Sequence, residues 1–289
     1  MMNTDIKKII FDHISLRNQR SVFYCIFLLL LPFTGTAQKK CTVTNQTFQS
    51  GEYLNYVINY NWGAIWLTTG EVGFSAATAD LNGRKVYHFM GIGGTYPKYD
   101  WFFKVRDRYE SYVDTTTLRP IRFIRDVNEG SSYAKDDYVF NNQKNKIYSS
   151  SQRNKKPVKL DSLAINSCTN DVLTAIYYAR CLDFSTHKPN DTIPITFVLD
   201  GEVYFSYIVY LGKEVIKSEL LGNVRCIKFS PKLIKGTIFK EGAGMTVWVT
   251  DDKNKVPVYV ETPIIVGTIK VNLNKYSGLR NKIDCIIPK

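Results

Sequence analysis

The sequence predicts a mainly β protein: a large curved antiparallel sheet, or two facing sheets, with one packing α-helix at about 170–182. Three observations predict it. Short runs rich in Val, Ile, Tyr, Phe and Thr recur along the chain, as strands prefer. Turn signals separate them, and a single stretch departs from alternation to helical apolar spacing. With 44% hydrophobic and 22% charged residues among 289, the chain has the composition of a globular protein rather than of a disordered or fibrous one.

Taken in order, the expected strands are 53–60, 65–75, 85–91, 102–105, 110–114, 121–126, 137–140 and 146–150, then 193–199, 203–211, 214–219, 223–229, 245–250, 256–261 and 264–273. The last alternates most cleanly. Ile269, Val271 and Leu273 share one face and Thr268, Lys270 and Asn272 the other, the pattern of an antiparallel strand with one wet side. Asn82-Gly83 and Asn141-Asn142 suit hairpin turns, and residues 250–255 join two strong strands. The two acids of that loop, Asp251 and Asp252, lack the alternating acidic spacing and distal Glu of a calcium loop. The helix begins after Ser167-Cys168-Thr169-Asn170-Asp171. Thr169 or Asn170 is expected to cap it, with Asp171 in the first turn where a negative charge suits the dipole. Val172, Ala175, Ile176 and Ala179 fall on one face, which is expected to face the core. It divides an N-terminal β half (about 42–165) from a C-terminal one (about 185–285), and the absence of a low-complexity linker favours one extended sheet system over two domains.

Residues 1–37 read as a secretory signal peptide. Lys7, Lys8, Arg17 and Arg20 precede the uncharged apolar run 22–31, Pro32 breaks it, and Gly35-Thr36-Ala37 supplies small residues for cleavage before Gln38. The apolar stretch is shorter than the ~20 residues a spanning helix needs. No cysteine sits where lipid attachment would require it, so residues 38–289 are expected to be one exported module, in the periplasm or at the cell surface, without a lipid anchor or transmembrane segment. Export permits disulfides. Cys41 and Cys285 lie at opposite ends of that module, and because chain termini often lie close together they form the candidate pair. Cys168 and Cys181 flank the helix and are too far apart to pair with each other.

The formal charge is +12, but the basic residues are scattered, which together with export argues against nucleic acid and for weak steering toward anionic lipid headgroups or glycans. His88 and His187 read as structural, and no Gly-x-Ser-x-Gly elbow surrounds a serine. Asp107 and Asp114 are the candidate carboxylates for a glycosidase-type pair, although Arg106 and Arg108 are expected to neutralise Asp107. Nothing calls for a cofactor or a metal. The aromatic excess, 19 Tyr, 16 Phe and 4 Trp, concentrates near turns. Trp62, Trp66, Tyr96, Tyr99 and Trp101 are the candidate ligand-binding residues, by stacking on sugars or forming the mouth of an apolar groove.

Several phrases in order resemble the bacterial exported family known as domain of unknown function 3108. They are Gly51-Glu52-x-Leu54-x-Tyr56, Gly70-Glu71-Val72, Val105 through Tyr109 with Tyr112-Val113-Asp114, Leu118-Arg119-Pro120, Asp171 through Arg180 on the helix, Val247-Trp248 to Pro257-Val258, and Gly267-Thr268-Ile269. The resemblance implies an exported β-rich protein of unassigned activity and brings no catalytic residues. The functional expectation is therefore a non-enzymatic periplasmic or cell-surface protein that binds an apolar or envelope-derived ligand such as a lipid, glycolipid or glycan. An envelope scaffold acting on other proteins and a carbohydrate-active enzyme are the alternatives.

Overall fold

Alternating side chains decide how this chain folds. In the computed structural model, residues 41, 43–62, 65–233, 244–264 and 267–288 are described; the leader read at 1–37 lies outside them. Two antiparallel meanders share one sheet. The first runs through β1 (Glu52–Trp62), β2 (Ile65–Leu81), β3 (Arg84–Thr95), β4 (Val105–Asp114), β5 (Pro120–Glu129), β6 (Ser132–Asn141), β7 (Lys146–Arg153) and β8 (Lys159–Ala164). A short β9 (Thr169–Asp171) leads directly into helix α1 (Val172–Arg180). The second meander comprises β10 (Thr192–Leu199), β11 (Glu202–Ser218), β12 (Gly222–Pro231), β13 (Thr246–Thr250), β14 (Pro257–Pro263) and β15 (Thr268–Ser277), with β16 (Ile286–Ile287) beside β12.

The order across the sheet is β8-β7-β6-β5-β4-β3-β2-β1-β15-β14-β13-β12-β11-β10-β9. The two meanders join where β1 pairs with β15, Ile58 opposite Val271 and Tyr60 opposite Ile269. Among the described strands only β9 with β10 is parallel. Two hairpins turn on adjacent residues with positive φ, Asn82-Gly83 and Asp200-Gly201, the conformation that matches the twist of the flanking strands.

Parity sets the inner face. Glu52, Leu54 and Tyr56 of β1, and Ser111 and Val113 of β4, are all buried, as residues two apart on a strand must share a side. The helix lies against this face. Leu173 and Tyr177 enter a core with Phe48, Phe89, Phe123 and Tyr138, where the Tyr177 ring stacks on Phe89 at 3.9 Å. Ala175 belongs to a second core with Ile195, Ile208, Phe229 and Val249.

Four ties hold these parts, three polar and one covalent. Asp171 caps the helix, accepting from the backbone N–H and hydroxyl of Thr174 (2.8 and 2.6 Å) and from the Ser111 hydroxyl on β4 (2.7 Å). Arg180 closes it, donating two hydrogen bonds to Glu52 (2.6 and 2.9 Å) and two to the Asn254 carbonyl (3.3 and 3.0 Å). Arg125 and Arg153 bind both Asp136 and Asp200, fastening the β10–β11 hairpin tip to β5–β7. The Gly201 N–H also donates to the Tyr138 hydroxyl at 2.9 Å. The fourth tie is a disulfide between Cys41 and Cys168, with Cα atoms 5.2 Å apart.

That bond corrects the Cys41–Cys285 pairing. The termini do approach: the Arg280 side chain donates to the Asn45 carbonyl and Asn281 to that of Gln46. However, Thr47 donates to the Arg180 carbonyl and Phe48 packs on Tyr177, which carries Cys41 alongside the turn preceding the helix. Cys285 is instead a buried free thiol in a third core with Cys226 and Trp248. Burial pushes both thiols up to about 12, so they stay protonated.

The helix cap is also corrected, from Thr169 or Asn170 to Asp171, the extended residue whose carboxylate accepts from the Thr174 N–H, while the Thr169 and Asn170 side chains bond to Asn166 and to the Cys168 and Thr196 carbonyls. The expected strand at 102–105 is a turn until Val105, and those at 203–211 and 214–219 are one long strand bulged between Tyr210 and Gly212.

Removing one partner of a buried, hydrogen-bonded ion pair leaves the other charge stranded, at a cost of about 3–5 kcal/mol. Glu52→Gln and Arg180→Met are each expected to lower unfolding free energy by that order in urea denaturation, whereas Lys159→Met, from the exposed pair with Asp161, is expected to change it by less than about 1 kcal/mol.

Candidate ligand-binding cavity

The helix touches the sheet along only part of its circumference. Leu173, Thr174, Ala175, Tyr177 and Arg180 are buried, and Val172, Ala175, Ile176 and Ala179, with Tyr177 and Arg180, line a cavity of about 660 Å³. The opposite walls come from the inner faces of β1 and β2 (Leu54, Tyr56, Val72, Phe74), β10–β12 (Ile195, Phe197, Ile208, Phe229) and β13–β15 (Val247, Val249, Val260, Val271). Leu233 and Met245 complete it on either side of residues 234–243, which lie outside those described. Such a volume falls within the range of about 300–1,000 Å³ typical of small-molecule sites.

Polar groups on the lining are few. Asp200, Tyr204, Ser206 and Lys232 come from the β10–β11 hairpin and the end of β12. Their side chains are engaged: Ser206 donates to the Lys232 carbonyl at 2.9 Å, Tyr204 to Glu202 at 3.0 Å, and the Lys232 ammonium lies 5.1 Å from the Tyr207 ring centroid. Tyr56, Tyr177 and Arg180 form a separate group beside Glu52. Burial opposes the Arg180 charge, yet Glu52 holds its pKa above the ordinary arginine value. The same burial raises both phenols well above theirs. Neither phenol hydroxyl has a hydrogen-bond partner among the described residues.

The aromatic residues singled out by sequence lie elsewhere. Trp66 is 45% exposed, with the Lys270 ammonium 4.3 Å from its ring centroid. Tyr96 precedes the 3-10 turn Pro97–Tyr99 and lines a smaller pocket of about 460 Å³ with Tyr53, Glu71 and Arg106. Tyr99 contacts Lys98, and Trp101 is 83% exposed. Trp62 ends β1, its side chain outside those described. None of the four described aromatics lines the larger cavity. The residues that do were readable in part as the helical stripe, which was expected to pack rather than to leave space.

The carboxylates do not pair either. Asp107 and Asp114 are seven positions apart on β4, so they point to opposite faces and lie about 23 Å apart at ~3.3 Å per residue. Asp114 organises a turn, accepting from Thr116 and Thr117, and is paired with Arg84. Strand parity also corrects the neutralisation expected for Asp107. Arg106 and Arg108 turn outward to Asp100 and Glu110, leaving Asp107 on the inner side, where burial and then the Glu129 carboxylate push it up to about 7.

An antiparallel sheet curved around one helix, with an apolar cavity between them, is the class of protein that these features define. A crystal structure of a "Beta-barrel-like Protein of Domain of Unknown Function DUF1849" from Brucella abortus shares the fold, at a TM-score of 0.53 and 12% identity over 78% of this chain and 96% of that one. The chain belongs to the family described as "Protein of unknown function (DUF3108)", whose profile matches residues 55–274. No curated protein matches it.

Because the folded pKa of Asp107 is raised above its unfolded value, its proton stabilises the fold at low pH. Stability from this group is fully present below about pH 4 and is lost as pH rises through about 7. Thermal melting of Asp107→Asn against the parent is expected to show the variant more stable at pH 8, by about 1–2 kcal/mol after allowance for solvent relaxation, and the two to converge at pH 4.

Proposed function

We propose that this chain is exported through the leader at 1–37 and that the folded remainder binds an apolar, acyl-chain-bearing ligand of the cell envelope without transforming it. The cavity between α1 and the inner sheet face carries the reading. Its walls are almost wholly aliphatic and aromatic, the Asp200, Tyr204 and Ser206 side chains on its lining already bond to protein, and the candidate carboxylates Asp107 and Asp114 face away from one another. Apolar surface left unpacked beside a helix forfeits burial at roughly 25 cal/mol per Å², so a cavity of this size is a standing cost to stability that a bound chain offsets. Lys232 at the lining supplies a cation for an anionic group at the rim. No helix among the described residues is long and apolar enough to cross a membrane, which is compatible with a carrier or sensor.

One further observation favours the scaffold alternative. Strand β8 is a sheet edge and displays Leu160 at 78% exposure beside Val158, a surface suited to pairing with another chain's strand.

A single comparison separates the two readings. The protein, expressed from the full-length gene and purified without detergent, is extracted and its small molecules are identified by mass spectrometry. A stoichiometric lipid or glycolipid is expected in the parent and at least a tenfold lower yield in Ala175→Phe, which fills the cavity from the helix side while leaving melting temperature within a few degrees. An empty extract together with a co-purifying envelope protein that Leu160→Lys releases would replace the carrier reading with the scaffold one.

A further inference from the structure

Apart from Asp200, Tyr204, Ser206 and Lys232, the cavity lining is polar at one further place, at Tyr56, Tyr177 and Arg180, and that place is built from both sides. Tyr177 and Arg180 lie one turn apart on α1, so their side chains leave the same helix face. Glu52 and Tyr56 share the inner face of β1 by strand parity. The two phenol rings are fixed by packing: Tyr177 stacks on Phe89 and meets Phe48 edge-on at 5.0 Å, and Tyr56 meets Phe74 edge-on at 5.9 Å. Tyr56 is 3% and Tyr177 1% exposed. A buried hydroxyl without a partner forfeits the bonds it made to water, and here two such hydroxyls flank one guanidinium at the wall of an apolar cavity.

The electrostatics define what these groups accept. Burial keeps both phenols protonated at any physiological pH, so each has an O–H to donate. Arg180 is already committed. Four hydrogen bonds to Glu52 and Asn254 occupy all but one of its five N–H groups, and the Glu52 carboxylate balances its charge. A carboxylate or phosphate brought here would place a second negative charge beside Glu52 with no cation left to match it, in surroundings where an unpaired charge is strongly disfavoured. A neutral oxygen acceptor meets no such penalty.

We propose that Tyr56 and Tyr177 anchor the uncharged, oxygen-bearing head of an acyl-chain ligand, an ester or an alcohol, with its chain lying along the Val172-Ala175-Ile176-Ala179 face of the helix. This rests on the acyl-chain reading of the cavity and adds the orientation and head-group class of the ligand. Any anionic group on the same molecule then belongs at the Lys232 rim and not at the buried end.

Protein stripped of co-purifying lipid is titrated with N-phenyl-1-naphthylamine, an uncharged apolar dye, and the dye is displaced with monoolein or, at pH 8, with oleate, which has the same chain and an anionic head. Monoolein is expected to bind at least tenfold tighter than oleate. Tyr56→Phe and Tyr177→Phe are each expected to weaken monoolein three- to tenfold, the worth of one neutral hydrogen bond, while raising the melting temperature of the ligand-free protein. Oleate equal to or better than monoolein, or Phe variants that bind monoolein like the parent, would overturn the head-group assignment while the dye signal upholds the cavity. A lower ligand-free melting temperature in both variants would also overturn it, since the hydroxyls would then be holding the fold. No dye binding at all, in the parent as in Ala175→Phe, would overturn the acyl-chain reading and this inference with it.

Discussion

Arg180 and Glu52 carry full charges where almost no water reaches them, and the rest of the interior is arranged around that fact. Their two parallel hydrogen bonds satisfy both ions at once, and the Asn254 carbonyl takes two of the remaining donors. The pair therefore joins three separate parts of the chain: the end of the helix, the first strand and the β13–β14 turn. A buried pair of this kind contributes little net stability against an apolar replacement. What it contributes is position, because only one placement of α1 lets both ions keep their partners.

Position is what leaves the cavity open. With Arg180 tied at one end of the helix and Asp171 held by Ser111 and Thr174 at the other, the helix keeps its small apolar stripe toward β10–β15, where Ala175 packs with Ile195, Ile208, Phe229 and Val249 and the stripe also borders the cavity. Leu173 and Tyr177 pack on the N-terminal meander, and Ala175 and Ala179 are too short to fill the opposite gap. The Arg125–Asp136–Arg153–Asp200 network fixes the β10–β11 hairpin on the far side, and the Cys41–Cys168 disulfide constrains the segment leading into the helix. A 127-residue separation makes that cross-link worth up to about 5 kcal/mol by loop entropy. The polar ties hold the walls apart, and the apolar side chains shape the space between them.

The architecture was legible where periodicity is strong. Alternation in Thr268 to Leu273 marked a half-buried strand, and the break to helical spacing at Val172 marked the helix within two residues of its ends. Short edge elements were not legible. β8 reads Lys-Leu-Asp-Ser-Leu-Ala, which carries neither β-branched residues nor a clean apolar face, and β9 is three residues long. The site was harder still. Glu52 and Arg180 stand out in sequence as charges within apolar runs and as members of two separate family phrases, 128 positions apart, and no spacing rule joins a strand residue to a helix residue at that distance. The stripe on α1 was read correctly as one face, but whether such a face meets side chains or a void depends on tertiary packing. Aromatic clusters near turns drew attention toward Trp66 and Trp101, whereas the tyrosines that border the cavity, Tyr56 and Tyr177, lie inside regular elements.

The central claim is that the interior holds a chain-like ligand with its neutral head at the buried ion pair. A crystal structure at better than 2 Å of protein purified without detergent tests it most directly. The account predicts continuous tubular density along the Val172–Ala179 face of α1, ending within hydrogen-bond distance of the Tyr56 and Tyr177 hydroxyls. Side chains closing on one another through that space, with both hydroxyls bonded to protein, would contradict it.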